Sequence, residues 1–274
     1  MAAIEPDDIV ELGIGDAQAG LVLSTEAGWN QNEADWRYFL SKGIVFGMRD
    51  GARLVATAAL LPYSAGNAWI SMVLVTADFR RRGIATMLVD ACLEVAIRRG
   101  LTTWLDATPA GAAVYGPLGF TPTLQLRRLR LAKRQEAKAT RQLSAANLDA
   151  LVVRDASAMG FDRSTLLTEF AARSGSRVVS GAQAMALTRD GRAARHIGPL
   201  LADHADQALA LVDAIVSSEC GPWLIDAVHS RDEFLDGLVG SGWNIERPFQ
   251  RMRFGPATVA PVQLPFAVAG PEFG

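Results

Sequence analysis

The chain carries one strand-helix-strand-helix pattern twice, and this internal repeat limits the possible fold more than any other feature. In the first half, WISMVLVTAD precedes the apolar helix pattern TMLVDACLEVA. In the second half, ARHIGPLLAD precedes LALVDAIVSSE with similar spacing. TTWLDAT then corresponds to GPWLIDAV, and YGPLGF to LVGSGW. The period is far too long for a solenoid, so the repeat predicts two copies of one α/β fold.

The length and composition allow one large domain or two of average size. The chain has 274 residues, of which 50% are hydrophobic and 20% charged, with a mean hydropathy of +0.15. Such a chain can bury a substantial core and is not disordered. The formal net charge of -2 argues against a nucleic-acid binder, which usually carries an excess of lysine and arginine. Any basic site must therefore be local.

The segment 126–141, LRRLRLAKRQEAKATR, is the most basic part of the chain, with seven basic residues and one acidic residue. It allows two interpretations, a strand edge that runs into an exposed connector or a nucleic-acid patch. Aromatic residues that could stack on bases are absent from it, which favours the connector. We place the domain boundary here, which gives the predicted domains 1–133 and 134–274.

Apolar periodicity predicts the elements of the first half. IVELGIGD is expected to form a strand, followed by helices from about Asp16 to Ala27 and through EADWRYFLSKG. A hairpin with Asp50-Gly51 at its turn comes next, and NAWISMVLV is typical of a central strand covered on both faces. After the helix that ends in IRRG, TTWLDA forms a strand, PAGAAVYGPLG a short helix and turn, and FTPTLQLRRLRLA a closing strand.

The cysteines and the start of the chain indicate a cytoplasmic protein without a metal. Cys92 and Cys220 lie far apart and outside any zinc-type spacing, and the three histidines also lack metal spacing. We expect two buried, reduced thiols, although a disulfide stays open. MAAIEPDDIV lacks the regions of a signal peptide, and no long apolar window indicates a membrane span.

The stretch VTADFRRRGIATML, residues 75–88, places three arginines and a glycine between a buried strand and an apolar helix. A helix start presents unpaired backbone N–H groups and a partial positive charge. Gly83 lets a ligand approach this backbone closely, and Ala85 and Thr86 keep the first turn slim. This arrangement suits a pyrophosphate better than a nucleic-acid duplex, which needs a wider basic surface.

This stretch, followed downstream by AVYGPLGF, resembles the GNAT acyltransferase superfamily. The hallmark of that family is Arg or Gln, two residues, Gly, one residue, then Gly or Ala, and Arg80, Gly83 and Ala85 match it. The resemblance covers residues 3–132 in element order, with its sharp motifs in 72–120. It implies a mixed α+β fold of the α/β kind, as two tandem GNAT-like domains, each a mostly antiparallel sheet flanked by helices.

The resemblance also implies acetyl-coenzyme A as the donor. Pantetheine would pair like an extra strand with the backbone of Val73 and Val75, where neighbouring strands splay apart. The pyrophosphate would sit on the N–H groups of residues 81–86, and a backbone N–H near Val75 would polarise the thioester carbonyl. The implied cofactor-binding residues are Met72, Val73, Leu74, Val75, Arg80, Arg81, Arg82, Gly83, Ile84, Ala85, Thr86, Thr108 and Tyr115.

Two residues are catalytic candidates by the same resemblance. Tyr115 matches the tyrosine that in many members hydrogen-bonds the departing thiolate and acts as general acid, although it could instead fill the core beside Leu118 and Phe120. Asp106 is the nearest equivalent of the family's glutamate base, and it could accept the amine proton, directly or through water, or cap the following helix. Thr108 stands where the family often has an asparagine.

The segment GWNQNEADW places Trp29, Asn30, Gln31 and Glu33 where the family's first helices line the acceptor site. Aromatic and amide side chains close together suit the recognition of a polar organic amine. The alternative is a helix N-cap at Asn30 or Asn32 together with two core tryptophans.

The second copy lacks the features that would bind the donor. In LLADHADQALALVDA the arginines and the glycine are missing, and His204 is flanked by Asp203 and Asp206. An acidic turn repels phosphate. Leu238, five residues before Trp243, takes the place of the tyrosine. A working first half with a degenerate second half resembles a bacterial tandem subgroup, as do AGWNQNEADWRYFL, HIGPLLA and the closing FAVAGPEFG.

The sequence therefore predicts an N-acetyltransferase that moves an acetyl group from acetyl-CoA to an amine, such as that of a small metabolite, by direct attack in a ternary complex. We expect a monomer or homodimer without nucleic-acid or membrane partners. Two other functions stay open, a non-catalytic acyl-CoA-binding sensor and a nucleic-acid binder that uses the arginines.

Overall fold

The first half of the chain forms six strands and four α-helices in the computed structural model, which describes residues 8–132, 143–256 and 263–274. They are β1 (Ile9–Glu11), α1 (Ala17–Glu26), α2 (Glu33–Lys42), β2 (Ile44–Asp50), β3 (Arg53–Pro62), β4 (Asn67–Val75), α3 (Ile84–Arg98), β5 (Thr102–Ala107), α4 (Pro109–Tyr115) and β6 (Thr121–Leu131). The predicted helices, hairpin and central strand are confirmed. The first strand is shorter than expected, because residues 14–16 form a 3-10 turn.

The second half repeats this order. It consists of β7 (Ser144–Ala145), α5 (Leu148–Met159), α6 (Ser164–Ala172), β8 (Arg177–Gly181), β9 (Ala184–Arg189), β10 (Arg195–Ala202), α7 (Ala205–Ser218), β11 (Trp223–Val228), α8 (Asp232–Gly240) and β12 (Asn244–Phe254). The predicted repeat of one mixed α/β fold is confirmed.

Local sequence explains where these helices begin and which face they bury. Asn32 caps α2 by accepting a hydrogen bond from Asp35 N–H at 3.1 Å, and the Asp35 carboxylate accepts one from Asn32 N–H at 3.0 Å. This reciprocal capping box satisfies two N–H groups that the helix itself leaves open. In α3, Ile84, Leu88 and Cys92 recur every four residues and are buried against the sheet.

All twelve described strands join one sheet, in which the halves exchange their last strands. The order is β1-β2-β3-β4-β5-β12-β6-β11-β10-β9-β8-β7. β12 pairs antiparallel with β5 of the first half, and β6 pairs antiparallel with β11 of the second half. β6 and β12 also pair with each other at the centre. The closing strand of each half is thus supplied by the other half. When β1–β6 are matched with β7–β12, the strand order has an approximate two-fold symmetry about the β12–β6 pair.

This exchange changes the interpretation of the basic segment. The expectation that residues 126–132 form a strand edge is wrong, because β6 lies in the middle of the sheet. Its arginines have partners there: Arg128 is 5% exposed and binds Asp226, and Arg130 binds Glu246. The predicted connector from residue 133 onward, with the predicted domain boundary, lies outside the described residues.

A buried aspartate-arginine pair ties each exchanged strand to its neighbour. Arg251 of β12 donates two hydrogen bonds of 2.8 Å to Asp106 of β5. Arg128 of β6 donates two of 2.8 Å to Asp226 of β11. The two ion pairs occupy equivalent places in the repeat. In each pair, the arginine and the aspartate are register partners on neighbouring strands. Because a lone buried charge is strongly unfavourable, each pair resists separation of its strands.

Residues 263–274, the tail segment, contact both halves. Ala267 forms antiparallel bridges with Leu200 of β10 and Ala227 of β11. Further along, Phe273 stacks on Phe39 of α2 with ring centroids 4.8 Å apart, and Tyr63 donates a hydrogen bond of 2.8 Å to Phe273 O. The tail segment therefore begins in the second half and ends against the first.

Candidate active site

A bulge in β4 opens the sheet beside β5. The two strands pair in parallel only at their starts, over Asn67–Trp69 of β4. Beyond this, the register with β3 shifts, and Met72 has a φ of +52°. Thr57 Oγ1 holds the bulge by donating to Met72 O at 2.8 Å. A left-handed residue with a side chain costs about 1–2 kcal/mol, and such strain is concentrated at functional sites.

The bulge leaves a strand edge that a ligand can reach. Val73 has no ladder partner on β5. Val75 pairs with Ala56 of β3, and its carbonyl accepts a hydrogen bond from Arg80 Nε at 3.0 Å. An extended ligand would therefore find Val73 open, whereas the Val75 carbonyl would first have to exchange its bond with Arg80.

The arginine-glycine turn, residues 80–86, presents a row of open N–H groups at the start of α3. Arg81 has a φ of +60° and Gly83 a φ of +78°. The first helical bond runs from Met87 N–H to Gly83 O at 3.0 Å, so the N–H groups of residues 81–86 have no acceptor among the described residues. Successive N–H groups in such a turn form a concave nest that binds anions. The three arginines are exposed around it.

Glu26, at the end of α1, fixes the loop that leads into this turn. Its carboxylate accepts hydrogen bonds from Thr76 Oγ1 at 2.7 Å and from Ala77 N–H at 2.9 Å. These two bonds lower the pKa of Glu26. Arg53 donates to Thr76 Oγ1 at 3.0 Å from the other side. The loop is thereby held before any ligand arrives, which reduces the ordering cost of binding.

A cleft open to solvent lies beside the splayed strands and holds about 630 Å³ of empty space. We call it the central cleft. Both halves line it: the first contributes Trp29, Gln31, Ile70, Ser71, Met72, Val73, Leu105, Asp106, Ala107, Thr108, Tyr115 and Arg128, and the second contributes Arg247, Phe249, Pro271 and Glu272. Because β12 supplies Arg247 and Phe249, the cleft is incomplete without the exchanged strand.

Tyr115 reaches the central cleft from the end of α4. The residue is half-buried, with its ring 5.9 Å from that of Phe120, so part of the side chain also packs on the core. Its hydroxyl makes no hydrogen bond to a described residue. Burial raises the pKa of Tyr115 to about 12. The phenol is therefore protonated at neutral pH and has a proton to donate.

Asp106 lines the cleft, but both of its oxygens are occupied. Thr108, not Asp106, caps α4, because Gly111 N–H donates to Thr108 Oγ1 at 3.2 Å. The alternative expectation that Asp106 caps this helix is wrong. Asp106 is fully buried and accepts both of its short hydrogen bonds from Arg251. Burial raises the pKa of Asp106, and the Arg251 guanidinium opposes that rise.

The structure divides the predicted acceptor residues into two groups. Trp29 and Gln31 line the central cleft. Asn30 instead joins the halves, since its amide nitrogen donates to Ala194 O at 2.9 Å and its oxygen accepts from Ala194 N–H at 2.9 Å. Glu33 lies outside the cleft and pairs with Arg37 on the surface of α2. The predicted N-cap is Asn32 rather than Asn30.

Sequence reasoning missed the residues that the second half brings to the cleft. Pro271 and Glu272 come from the tail segment, and Glu272 also pairs with the buried Arg189 at 3.2 Å. Arg247 and Phe249 come from β12. The closing FAVAGPEFG was a visible signal for the tail, whereas nothing in the sequence indicated the exchange of β12.

In the second copy, the tail segment fills the equivalent opening. Leu200 N–H donates to Ala267 O at 2.9 Å, and Val228 N–H donates to Phe266 O at 3.0 Å, so the tail forms a short strand between the ends of β10 and β11. At the start of α7, Gln207 Oε1 accepts from His204 N–H at 3.2 Å and caps the helix internally. The open edge of the first copy has no counterpart here.

Cys92 and Cys220 are both free thiols, but Cys220 is exposed, so the expectation that both are buried is wrong. The described residues contain no group of three or more histidine, cysteine, aspartate or glutamate side chains placed to hold a metal ion. Over the same residues, every helix is too short or too polar to cross a lipid bilayer.

The fold and the cleft are those of a tandem acyltransferase, with two copies of one mixed α/β unit and an open strand edge that leads into a nest of open N–H groups. Comparison with protein families agrees. The acetyltransferase (GNAT) family matches residues 20–120, and a second acetyltransferase (GNAT) domain matches residues 151–263. The chain belongs to the GNAT family as a tandem acyl-CoA N-acyltransferase, and it is an acyltransferase enzyme.

Individual relatives resemble the chain over most of its length. The uncharacterized N-acetyltransferase YitH of Bacillus subtilis is 23% identical over 255 residues, which cover 87% of this chain and 88% of the relative. A Pyrococcus horikoshii protein described as a "putative acetyltransferase" has a TM-score of 0.79 at 19% identity, and the match covers 96% of this chain and 94% of that one. A tandem GNAT protein from the clavulanic acid biosynthesis pathway has a TM-score of 0.61 at 15% identity, with 91% and 99% covered. These structural likenesses show the fold.

Proposed function

We propose that the first half transfers an acetyl group from acetyl-coenzyme A to the amine of a small metabolite. One observation carries this proposal: the bulge of β4 opens onto the cleft that Tyr115 lines, and the end of β4 leads directly into the nest at residues 80–86. Phosphates would bind the nest and its arginines, and pantetheine would lie along the open edge at Val73.

The reaction forms a bond between the amine nitrogen and the acetyl carbon, and it breaks the bond between that carbon and sulfur. A backbone N–H at the end of β4, near Val75, would polarise the carbonyl. Tyr115 would donate its proton to the departing thiolate and recover one from solvent. Holding the amine and the thioester in attacking geometry supplies a large part of the rate enhancement.

The amine must also lose a proton, and Asp106 and water are the candidate acceptors. Water is favoured, because both Asp106 oxygens already accept hydrogen bonds from Arg251. Protonation of Asp106 would weaken those bonds and leave the Arg251 charge poorly compensated in a buried place.

We further propose that the second half binds no coenzyme and acts as a packing and substrate-shaping partner. The tail segment occupies its strand opening, and Gln207 satisfies the N–H group at its helix start. The nest and the tyrosine of the first half have no equivalents in its sequence, where His204 and Leu238 stand instead. The first copy alone would bind acetyl-CoA.

An assay of thiol release from acetyl-CoA over a panel of amines tests the proposal. We expect amine-dependent release together with the acetylated amine as product. Tight binding of acetyl-CoA without transfer to any amine would instead identify a non-catalytic sensor. Salt-sensitive binding of oligonucleotides that coenzyme A does not compete away would contradict both functions and favour a nucleic-acid site.

A further inference from the structure

Three residues that line the central cleft each carry a buried polar atom without a hydrogen-bond partner within the described part of the chain. The atoms are Gln31 Oε1, Ser71 Oγ and Arg247 Nε. Gln31 is 4% exposed and Ser71 is 8% exposed. Buried polar atoms in proteins are nearly always hydrogen-bonded. Three unpaired atoms on residues of a single cleft are therefore places that a ligand or an ordered water would satisfy.

Arg247 is the one charged residue lining this cleft that makes neither an ion pair nor a hydrogen bond to a described residue. Glu246, its neighbour in sequence, binds Arg130 instead. The other charges that line the cleft each have a buried partner: Asp106 has Arg251, Arg128 has Asp226 and Glu272 has Arg189.

The surroundings of Arg247 favour a single anionic group. The residue is half-buried, and its guanidinium lies 5.3 Å from the centre of the Phe249 ring. Burial and the nearby charge of Arg128 lower the pKa of Arg247 more than the carboxylates of Asp226, Glu246 and Glu272 raise it, so an anion beside the guanidinium would relieve an electrostatic cost. The planar guanidinium matches a carboxylate with two parallel hydrogen bonds. A phosphate, with about two charges at neutral pH, would leave one charge uncompensated.

We propose that the acceptor is an amine that also carries a carboxylate, in the manner of an amino acid. Its carboxylate binds Arg247, and its amino group donates to Gln31 Oε1 and Ser71 Oγ. This inference rests on the function proposed above and adds the chemical class of the acceptor. Arg247 lies on β12, so the strand that the second half contributes to the first also carries the residue that selects the substrate.

A matched set of acceptors tests this class directly. The set contains an amino acid, its carboxamide, the amine that lacks the carboxyl group, and a phosphorylated amine of similar size. We expect kcat/KM for the amino acid to exceed that for the carboxamide by about ten- to a hundredfold, as for other charge-assisted hydrogen bonds. Several side-chain sizes are included, so that a steric mismatch does not decide the result.

Variants of two arginines on β12 assign the preference to a residue. Arg247→Met should reduce the ratio of kcat/KM between amino acid and carboxamide to about one, and Arg247→Lys should keep part of it. Arg253→Met is the matched control, because Arg253 lies on the same strand over the ring of Trp104 at 5.8 Å, outside the cleft. It should retain the ratio. Thermal unfolding reports whether each variant is folded, and coenzyme A affinity reports whether its donor site is intact.

Each result decides the question. A wild-type enzyme that acetylates amines with no preference for the carboxylate, or that prefers the phosphorylated amine, would overturn the inference and leave the proposed function standing. A preference that persists in Arg247→Met would also overturn it. If Arg247→Met lost coenzyme A affinity but kept the ratio of kcat/KM between amino acid and carboxamide, Arg247 would belong to the coenzyme A site instead. Failure to acetylate any amine would overturn the proposed function itself.

Discussion

At the scale of single residues, the central cleft combines a free phenol with a paired carboxylate. Burial raises the pKa of Tyr115 to about 12, so its proton-donating form is populated below that pH and lost only as the pH rises through it. Asp106 is buried more deeply, and Arg251 holds both of its oxygens. The two residues are thus suited to different tasks, proton donation and strand pairing.

Replacement of Tyr115 by phenylalanine should lower kcat by about ten- to a hundredfold, toward the lower end of what general acids contribute, because a thiolate is a good leaving group. The KM for acetyl-CoA should change little. Tyr115 stays protonated below about pH 12. The pH–rate profiles of the wild type and of Tyr115→Phe should therefore have the same shape between neutral pH and about pH 10. Tyr38→Phe, the same change in the core, is the control. Unchanged turnover in Tyr115→Phe would refute the role.

Neutralisation of Asp106 alone should destabilise the protein by about 3–5 kcal/mol, because Arg251 would then be a buried, unpaired charge. The double variant Asp106→Asn with Arg251→Gln removes both charges and should recover most of the stability. If water takes the amine proton, the double variant should also recover most of kcat. Denaturant unfolding and steady-state kinetics on the single and double variants measure the two effects. A stable but inactive double variant would identify Asp106 as the base.

At the scale of elements, the site depends on three consecutive parts of the chain, namely a bulged strand, a turn and a helix. Thr57 holds the bulge, Glu26 holds the loop, and positive φ angles at Arg81 and Gly83 shape the nest. The second half builds the same elements without these details. In the equivalent loop, the His204 N–H at the start of α7 donates to Gln207 Oε1. The two copies therefore share the fold but differ in the hydrogen bonding of the backbone at this helix start.

Gly83→Ala should weaken coenzyme A binding by about tenfold or more, because the left-handed position costs a side chain about 1–2 kcal/mol and the methyl group would stand where a phosphate must approach. Gly51→Ala is the matched control. Both glycines have positive φ, and a Cβ at either meets no atom within 4 Å. The two variants should lose similar stability, as measured by thermal unfolding, but only Gly83→Ala should lose affinity in titration calorimetry. Equal coenzyme A affinities of the two variants would show that the nest is not part of the coenzyme A site.

At the scale of the whole molecule, the halves form one structural unit. β12 lies between β5 and β6, two buried ion pairs cross the exchanged strands, and the tail segment contacts both halves. Separation of the halves would expose strand edges and leave charges unpaired. Among the described residues, the shared sheet leaves no boundary along which the halves could separate at low cost.

Thermal unfolding should therefore be a single transition, with equal calorimetric and van't Hoff enthalpies. Phe273→Ala should lower the free energy of unfolding by about 3–5 kcal/mol, as for a fully buried aromatic ring, without splitting the transition. Differential scanning calorimetry on both proteins is the measurement. Two resolved transitions in the wild type would mean that the halves fold independently despite the shared sheet.

Coenzyme A should bind with a stoichiometry of one per chain. The tail segment fills the strand opening of the second half, so within the described ranges only the first half keeps an open strand edge and a nest. Titration calorimetry on the intact chain gives the number directly. Two equivalent sites per chain would contradict the assignment of the second half as a partner that binds no donor.

Much of the first half could be predicted from local sequence. The period of apolar residues located α1, α2, α3 and the hairpin, because each buries one face against a core. Arg80, Gly83 and Ala85 located the nest, since a left-handed glycine before a helix is a local requirement. The same reasoning could not separate Gln31, which lines the cleft, from Asn30, which bonds to the second half, because both are amides in one loop.

The sequence by itself determined that the fold occurs twice and that one copy carries the arginine-glycine turn, because hydrophobic period and turn chemistry act over a few residues. Only the tertiary structure decided which strands pair. β6 and β12 carry similar patterns, LRRLRL and FQRMRF, and either could close either half. Because hydrogen bonds between strands join residues far apart in the chain, the exchange and the residues that complete the cleft are set at the tertiary level.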